Sequence, residues 1–275
     1  RRYLAQGGQT NANSLIRLTS RINVEHKVSD NFKTGFNFSL ARTNNNRLPG
    51  DNAFSSPVQA SALPPLVPFL DPTTGFPAGT PPGNPNIPVY YNPVIGMNHS
   101  YRKYVVLRNL GNIYGDWTIT EGLSLRGQFG FDVATQSEEQ WFSSRTVRNS
   151  GYPLGGVFNY NESVENFSGS VFLNFNRTFD AVVLDAIAGT EYQQSTAKTQ
   201  SLSAQDLPSD GFRLASAAAK PTAVDARETA FTFLSYFARA NFKISEKYLF
   251  TINARVDGSS RFGAENRYGC FPAAS

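Results

Sequence analysis

The chain has 275 residues, with 22 Phe, 12 Tyr, 22 Gly and 16 Pro and only 17% charged residues; strand and turn formers dominate, which excludes a helix-rich fold. A mean hydropathy of -0.34 and the lack of any unbroken apolar run of about 18 residues exclude a transmembrane helix, yet not a membrane barrel, in which only every second residue meets lipid. The net charge of +4 comes from scattered Lys and Arg with no basic block for nucleic acid, and the single Cys270 excludes a disulfide framework and a multi-cysteine zinc site.

The opening stretch RRYLAQGGQTNANS shows no charged segment followed by an apolar one, so no secretory leader is read in it. Alternation of apolar and polar residues then begins. Over 14–28 the even positions Ile16, Leu18, Ile22, Val24 and Val28 are apolar, and Arg17, Thr19, Arg21, Asn23 and Glu25 lie between them. Over 32–42 Phe32, Phe36, Phe38 and Leu40 alternate with Lys33, Asn37 and Ser39, and Ser29-Asp30-Asn31 joins the two runs as a hairpin turn. A second hairpin spans 103–119 (Val105, Leu107, Ile113, Trp117, Ile119) and 123–133 (Leu123, Leu125, Phe129, Phe131, Val133), with Thr120-Glu121-Gly122 between. A third spans 164–179 and 182–192 about Asp180-Ala181, and a fourth spans 231–244 and 247–257 about Ser245-Glu246-Lys247.

The connections alternate too: four are very short, and the three between hairpins, 43–102, 134–163 and 193–230, are long. Long structureless loops count against a compact soluble domain. They suit an outer-membrane barrel, whose periplasmic turns are short and whose extracellular loops are long. The expectation is an all-β fold of about eight antiparallel transmembrane β-barrel strands, which the alternation alone would allow to close as a small barrel. The proline-rich run from Leu63 to Pro93 reads as an irregular loop over the mouth, and Ala215 to Ala219 as a short helical turn.

The chemistry-bearing residues are few. His26 and His99 are the only histidines, so metal and nucleophile constellations cannot be assembled; no catalytic residue, cofactor or metal is expected, and the chain is not read as an enzyme. Glu138 and Glu139 read as adjacent solvated acids. Trp117 and Tyr248 lie near short turns, where an interfacial aromatic girdle belongs. Tyr90, Tyr91, Tyr101 and Trp141 fall in the long connections as candidate substrate contacts that could stack on sugar rings or grip a peptide, the alternative being that they pack the loops together.

From Leu234 the sequence runs LSYFARANFKISEKYLFTINARVDGSSRFGAENRYGCFP. The stretch resembles the SusC/RagA group of TonB-linked outer-membrane proteins of Bacteroidetes, through Tyr236-Phe237-x-Arg239-x-Asn241-Phe242, Lys247-Tyr248-Leu249, Asp257-Gly258-Ser259-Ser260-Arg261-Phe262-Gly263 and Asn266-Arg267-Tyr268-Gly269-x-Phe271-Pro272. Weaker likeness lies upstream at Arg21-x-Asn23 and Gly189-x-Glu191-Tyr192. The resemblance implies a TonB-dependent receptor barrel of roughly 22 strands with a plugged lumen, of which 1–275 would be part. Plug, TonB box and C-terminal strands are not seen in this sequence. It further implies a Gram-negative outer membrane, a SusD-like surface lipoprotein partner, energy from TonB through an N-terminal region, and uptake of a glycan or peptide.

Within the motif, Asp257 and Ser259 are expected to satisfy backbone donors, and Gly258 and Gly263 to supply unusual φ. Two other functions stay open: a small stand-alone outer-membrane barrel with a structural or adhesive role, and a soluble carbohydrate-binding sandwich. The Phe-rich faces weigh against the latter, since a soluble monomer rarely exposes so large an apolar patch.

Overall fold

A computed structural model describes residues 2–7, 13–47, 98–144 and 154–275. They form one ten-stranded antiparallel sheet in which each strand pairs with its sequence neighbours: β1 (Arg2–Gly7), β2 (Ser14–Ser29), β3 (Phe32–Arg47), β4 (Ser100–Thr120), β5 (Leu123–Phe142), β6 (Gly156–Phe179), β7 (Val182–Gln205), β8 (Lys220–Ile244), β9 (Tyr248–Ser259) and β10 (Tyr268–Ala274). The eight expected strands are β2 to β9, in the expected hairpins. The structure adds β1 and β10 at the edges. Pro272 fits in β10 because that strand is paired only with β9, so the missing proline N–H can lie on the unpaired side without breaking a ladder.

The strands are longer than the alternation showed: β6 and β7 have 24 residues and β8 has 25. More than half of 134–163 and of 193–230, expected to be loop, is therefore sheet, and of 43–102 residues 43–47 and 100–102 join β3 and β4. The stretch from Gln193 to Gln205 shows why. It is almost wholly polar or small, so no apolar face betrays it, yet its backbone groups pair residue by residue with β6 and β8. The proline-rich run from Leu63 to Pro93 lies outside the described residues. Between β7 and β8, Ala215–Ala217 makes a single 3-10 turn.

Tight turns close the other ends. Asp180 (φ 46°), Ser245 (φ 47°), Glu246 (φ 58°) and Gly122 (φ 76°) take the left-handed conformation. At Gly122 a side chain is excluded twice, by that φ and because a Cβ would stand 2.2 Å from the Asn176 carbonyl oxygen.

Register sorts the residues into two faces. One row runs Val24, Phe36, Ile113, Phe129, Gly169, Tyr192, Leu234; the neighbouring row, on the opposite face, runs Asn23, Asn37, Asn112, Gly130, Ser168, Gln193, Phe233. The first face is apolar and uncovered: Val24 is 54% exposed, Ile113 50% and Ile252 58%. Among the described residues, the only buried hydrophobic side chains are Trp141, Val157, Ala204 and Leu207, clustered at the long-connection end. A sheet that leaves its large apolar residues outside and has almost no apolar core is built for a nonaqueous surround.

Candidate functional site

The polar face is the surface on which function can be built, because pleating delivers it a side chain from every second residue of each strand. Near the short turns it carries a hydrogen-bonded ladder: Asn241 Nδ2 donates to Asp185 Oδ1 at 3.0 Å and Thr251 Oγ1 donates to Asn241 Oδ1 at 3.0 Å. Further along, Arg255 bridges Asp257 (2.6 Å) and Glu191 (3.1 Å). On the neighbouring strands Tyr114 donates to Glu25 Oε2 at 2.9 Å, and Arg126 stacks over the Tyr114 ring at 4.3 Å while contacting Asp116 at 3.3 Å. Asn37 Nδ2 donates to Asn112 Oδ1 at 3.2 Å. Ionic and amide pairs laid side by side across seven strands make a wall that water or a polar protein can wet.

At the far end of this face a denser group forms. Glu138 is buried and accepts from Arg102 Nε, with Arg47 at 3.6 Å. Arg47 lies 5.4 Å from the Tyr104 ring, and the Tyr104 hydroxyl donates to Gln136 Oε1 at 2.9 Å. Side by side in sequence, Glu138 and Glu139 read as adjacent solvated acids. Adjacent strand residues point to opposite faces, and the two acids accordingly do different things: Glu138 holds two arginines on the polar face, and Glu139 accepts from the Tyr101 hydroxyl on the other.

The candidate aromatics fare unevenly. Tyr90 and Tyr91 lie outside the described residues. Tyr101 and Trp141 are strand residues, not loop residues: they pair directly across β4 and β5, on the face that continues the apolar rows. Their rings stack with centroids 5.7 Å apart, and Arg213 from the β7–β8 connection lies 4.5 Å from Trp141 and 5.6 Å from Tyr101. Val157, Ala204, Leu207, Ala215 and Ala218 pack around them. Asp210 fastens the same connection, accepting from Ser143 Oγ (2.7 Å) and the Ser144 backbone N–H (2.9 Å). Trp141 is thus a packing residue that pins one connection to its neighbour. Tyr101 lies some 19 residues from the β4–β5 turn, beyond the roughly ten that cross a bilayer. Burial first, then the hydrogen bond to Glu139, raise its phenol above the ordinary value of 10.0.

The motif from Asp257 to Gly263 is structural in a different manner from that expected. Ser259 Oγ does accept a backbone N–H, that of Arg261 at 3.3 Å, and Ser260 Oγ accepts that of Thr232 at 2.8 Å. Asp257 instead receives Arg255. Neither glycine has a positive φ: Gly263 is at -60°. Gly258 is needed for closeness, since a Cβ there would lie 2.4 Å from the Tyr268 ring that crosses it from β10. Arg261 stacks 4.2 Å from the Phe231 ring, and Phe262 is exposed.

No protein-family model matches the chain. TonB-dependent receptor SusC of Bacteroides thetaiotaomicron is 28% identical over 208 residues, covering 74% of this chain and 20% of that protein. TonB-dependent receptor P26 of Formosa agariphila is 25% identical over 98% of this chain and 27% of its own length. The solved RagAB peptide transporter superposes with a TM-score of 0.82 over 99% of this chain and 31% of that one, at 21% identity. Across nearly its whole length this chain is similar to TonB-dependent receptors of the SusC/RagA type. This chain spans about a fifth to a quarter of those curated relatives, and they are named as receptors, none as an enzyme. The wider barrel fold is shared as well: the ferric preacinetobactin receptor of Acinetobacter baumannii superposes with a TM-score of 0.51 at 12% identity. For a SusC/RagA-type barrel the apolar face is the lipid face, the polar face lines the lumen, and the long connections lie at the extracellular mouth.

Proposed function

We propose that the chain supplies part of the wall of an outer-membrane importer that takes up a bulky polar nutrient, a glycan or a peptide, with energy from TonB. The observation that carries this reading is the two-faced sheet: a charge-paired, amide-rich lumen wall behind a bare apolar exterior, too polar inside to be a packed core. A small adhesive barrel would need no such wall. The relatives are TonB-dependent receptors, and the similar RagAB is a peptide transporter, which supports the same reading. A SusD-like lipoprotein would sit over the mouth formed by the long connections, and TonB would act through a region outside this chain.

The wall residues have definable tasks. Paired ions such as Arg255 with Glu191 and Asp257 keep the lumen face polar without leaving a lone charge at membrane depth. They also present hydrogen-bonding edges to whatever protein element occupies the lumen. Deleting the whole gene in its native host, then supplying peptides or oligosaccharides as sole carbon or nitrogen source, tests the proposal. Loss of growth on one nutrient class, reproduced by removing TonB, is the expected outcome. Unchanged growth and unchanged uptake of every class tried would reject it.

A further inference from the structure

Across the lumen face at the mouth, register brings Leu15, Asn45, Tyr104, Glu138, Tyr160 and Ser201 into one row, and sets Arg47 directly opposite Arg102 in the next. Two arginines opposite each other repel. Glu138, with its side chain 6% exposed, is the acid the structure places between them, so two positive charges share one negative. The division is unequal. Arg102, 26% exposed, is engaged through Nε, whereas Arg47 keeps 43% of its side chain open and stands 3.6 Å from the carboxylate, looser than a charge-assisted hydrogen bond. Its guanidinium lies 5.4 Å from the Tyr104 ring, which restrains the group without using its N–H donors.

We infer that Arg47, steadied by Tyr104 and backed by the Arg102–Glu138 pair, is a carboxylate-binding site at the lumen mouth that takes an acidic peptide. The inference rests on the uptake reading above and narrows its cargo. A guanidinium fork whose partner acid is already shared has donors left for a second carboxylate, and bidentate pairing is the geometry it favours. The arrangement is pre-organised, because Glu138 holds the like charges together before any ligand arrives. A peptide always offers a carboxylate at its C-terminus and more at Asp or Glu, whereas a neutral oligosaccharide offers none.

The test uses the complete transporter with its surface partner, purified from outer membranes. Three probes carry the same fluorophore: a ten-residue Gly/Ser/Leu peptide with two internal Asp and a free C-terminus, its Asn-substituted C-terminal amide, and a uronate-containing oligosaccharide. The acidic peptide should bind roughly tenfold more tightly than the amide, the factor expected of a charge-assisted contact at a partly exposed site. Arg47→Gln should bring that ratio below about twofold and leave the amide's affinity unchanged. Because Arg102→Gln alone would strand a buried carboxylate, the second variant is the double change Arg102→Gln with Glu138→Gln, which removes the pair while keeping Arg47. It should lower the ratio partway. Equal binding of acidic peptide and amide to the unaltered protein overturns the site but leaves peptide uptake standing. Binding of neither peptide overturns both. A preference that survives Arg47→Gln, or tighter binding of the oligosaccharide than of the acidic peptide, also overturns it.

Discussion

Trp141 shows how a single side chain can be necessary for its size and not for its polarity. It is 4% exposed, yet its Nε1 has no hydrogen-bond partner among the described residues. Replacing the indole by phenyl therefore removes an unsatisfied N–H along with some volume, and Trp141→Phe should cost under about 1.5 kcal/mol. Trp141→Ala empties the centre of the mouth cluster and should cost about 3–5 kcal/mol locally. Limited proteolysis checks both: the 206–219 connection should become cleavable in the alanine variant and stay resistant in the phenylalanine one. Tyr101 beside it gives a pH prediction. Its folded pKa is raised, so the stability it adds is fully present below the ordinary phenol value of 10.0 and is lost only as pH rises through the higher folded value. The tyrosinate absorbance difference between the unaltered protein and Tyr101→Phe should thus stay near zero through pH 10, and a difference appearing by pH 9 would refute the assignment.

At the scale of the strand, the two faces make opposite demands on the same substitution. Ile113 is half exposed on the apolar face, and Asn112 beside it is on the lumen face, bonded to Asn37. Ile113→Arg places a charge in lipid and should cost about 2–4 kcal/mol. Asn112→Arg enters a polar lumen and should cost little beyond its lost amide contact, about 1 kcal/mol. Equilibrium unfolding of the whole barrel in lipid vesicles separates the two; similar losses would contradict the face assignment. At the β4–β5 turn, Gly122→Ala should cost about 1–3 kcal/mol, because both the φ of 76° and the Asn176 carbonyl must give way. The same measurement checks it. Legibility also divides at this scale. Lipid tolerates only apolar side chains, so the membrane-crossing half of each strand announces itself by alternation, as Val24, Phe36 and Ile113 do. Beyond the lipid both faces meet water, the contrast vanishes, and Gln193 to Gln205 could not be told from loop. For the same reason the alternation does not show that Tyr101 and Trp141 are strand residues.

For the whole molecule, the fold class was readable because a long-range regularity, four hairpins with short turns and long connections, repeats across the chain, and the likeness to SusC/RagA-type receptors because the residues from Leu234 to Pro272 are distinctive. The lumen-mouth group was not readable at all. Arg47, Arg102 and Glu138 are dispersed in sequence, and only the pairing of β3 with β4 and β4 with β5 brings them together. Nothing about an arginine at the end of a strand tells which face it takes or what stands opposite.

The length of the strands has an effect on what a molecule outside the cell meets first. A 25-residue strand such as β8 is about 80 Å long, and at a tilt near 45° it rises about 55 Å, roughly twice the apolar band of an outer-membrane barrel. The wall therefore stands above the headgroups as a rigid chimney. A molecule approaching from outside would meet ordered side chains well before membrane depth, and antibodies raised against the 206–219 connection between β7 and β8 should stain intact cells.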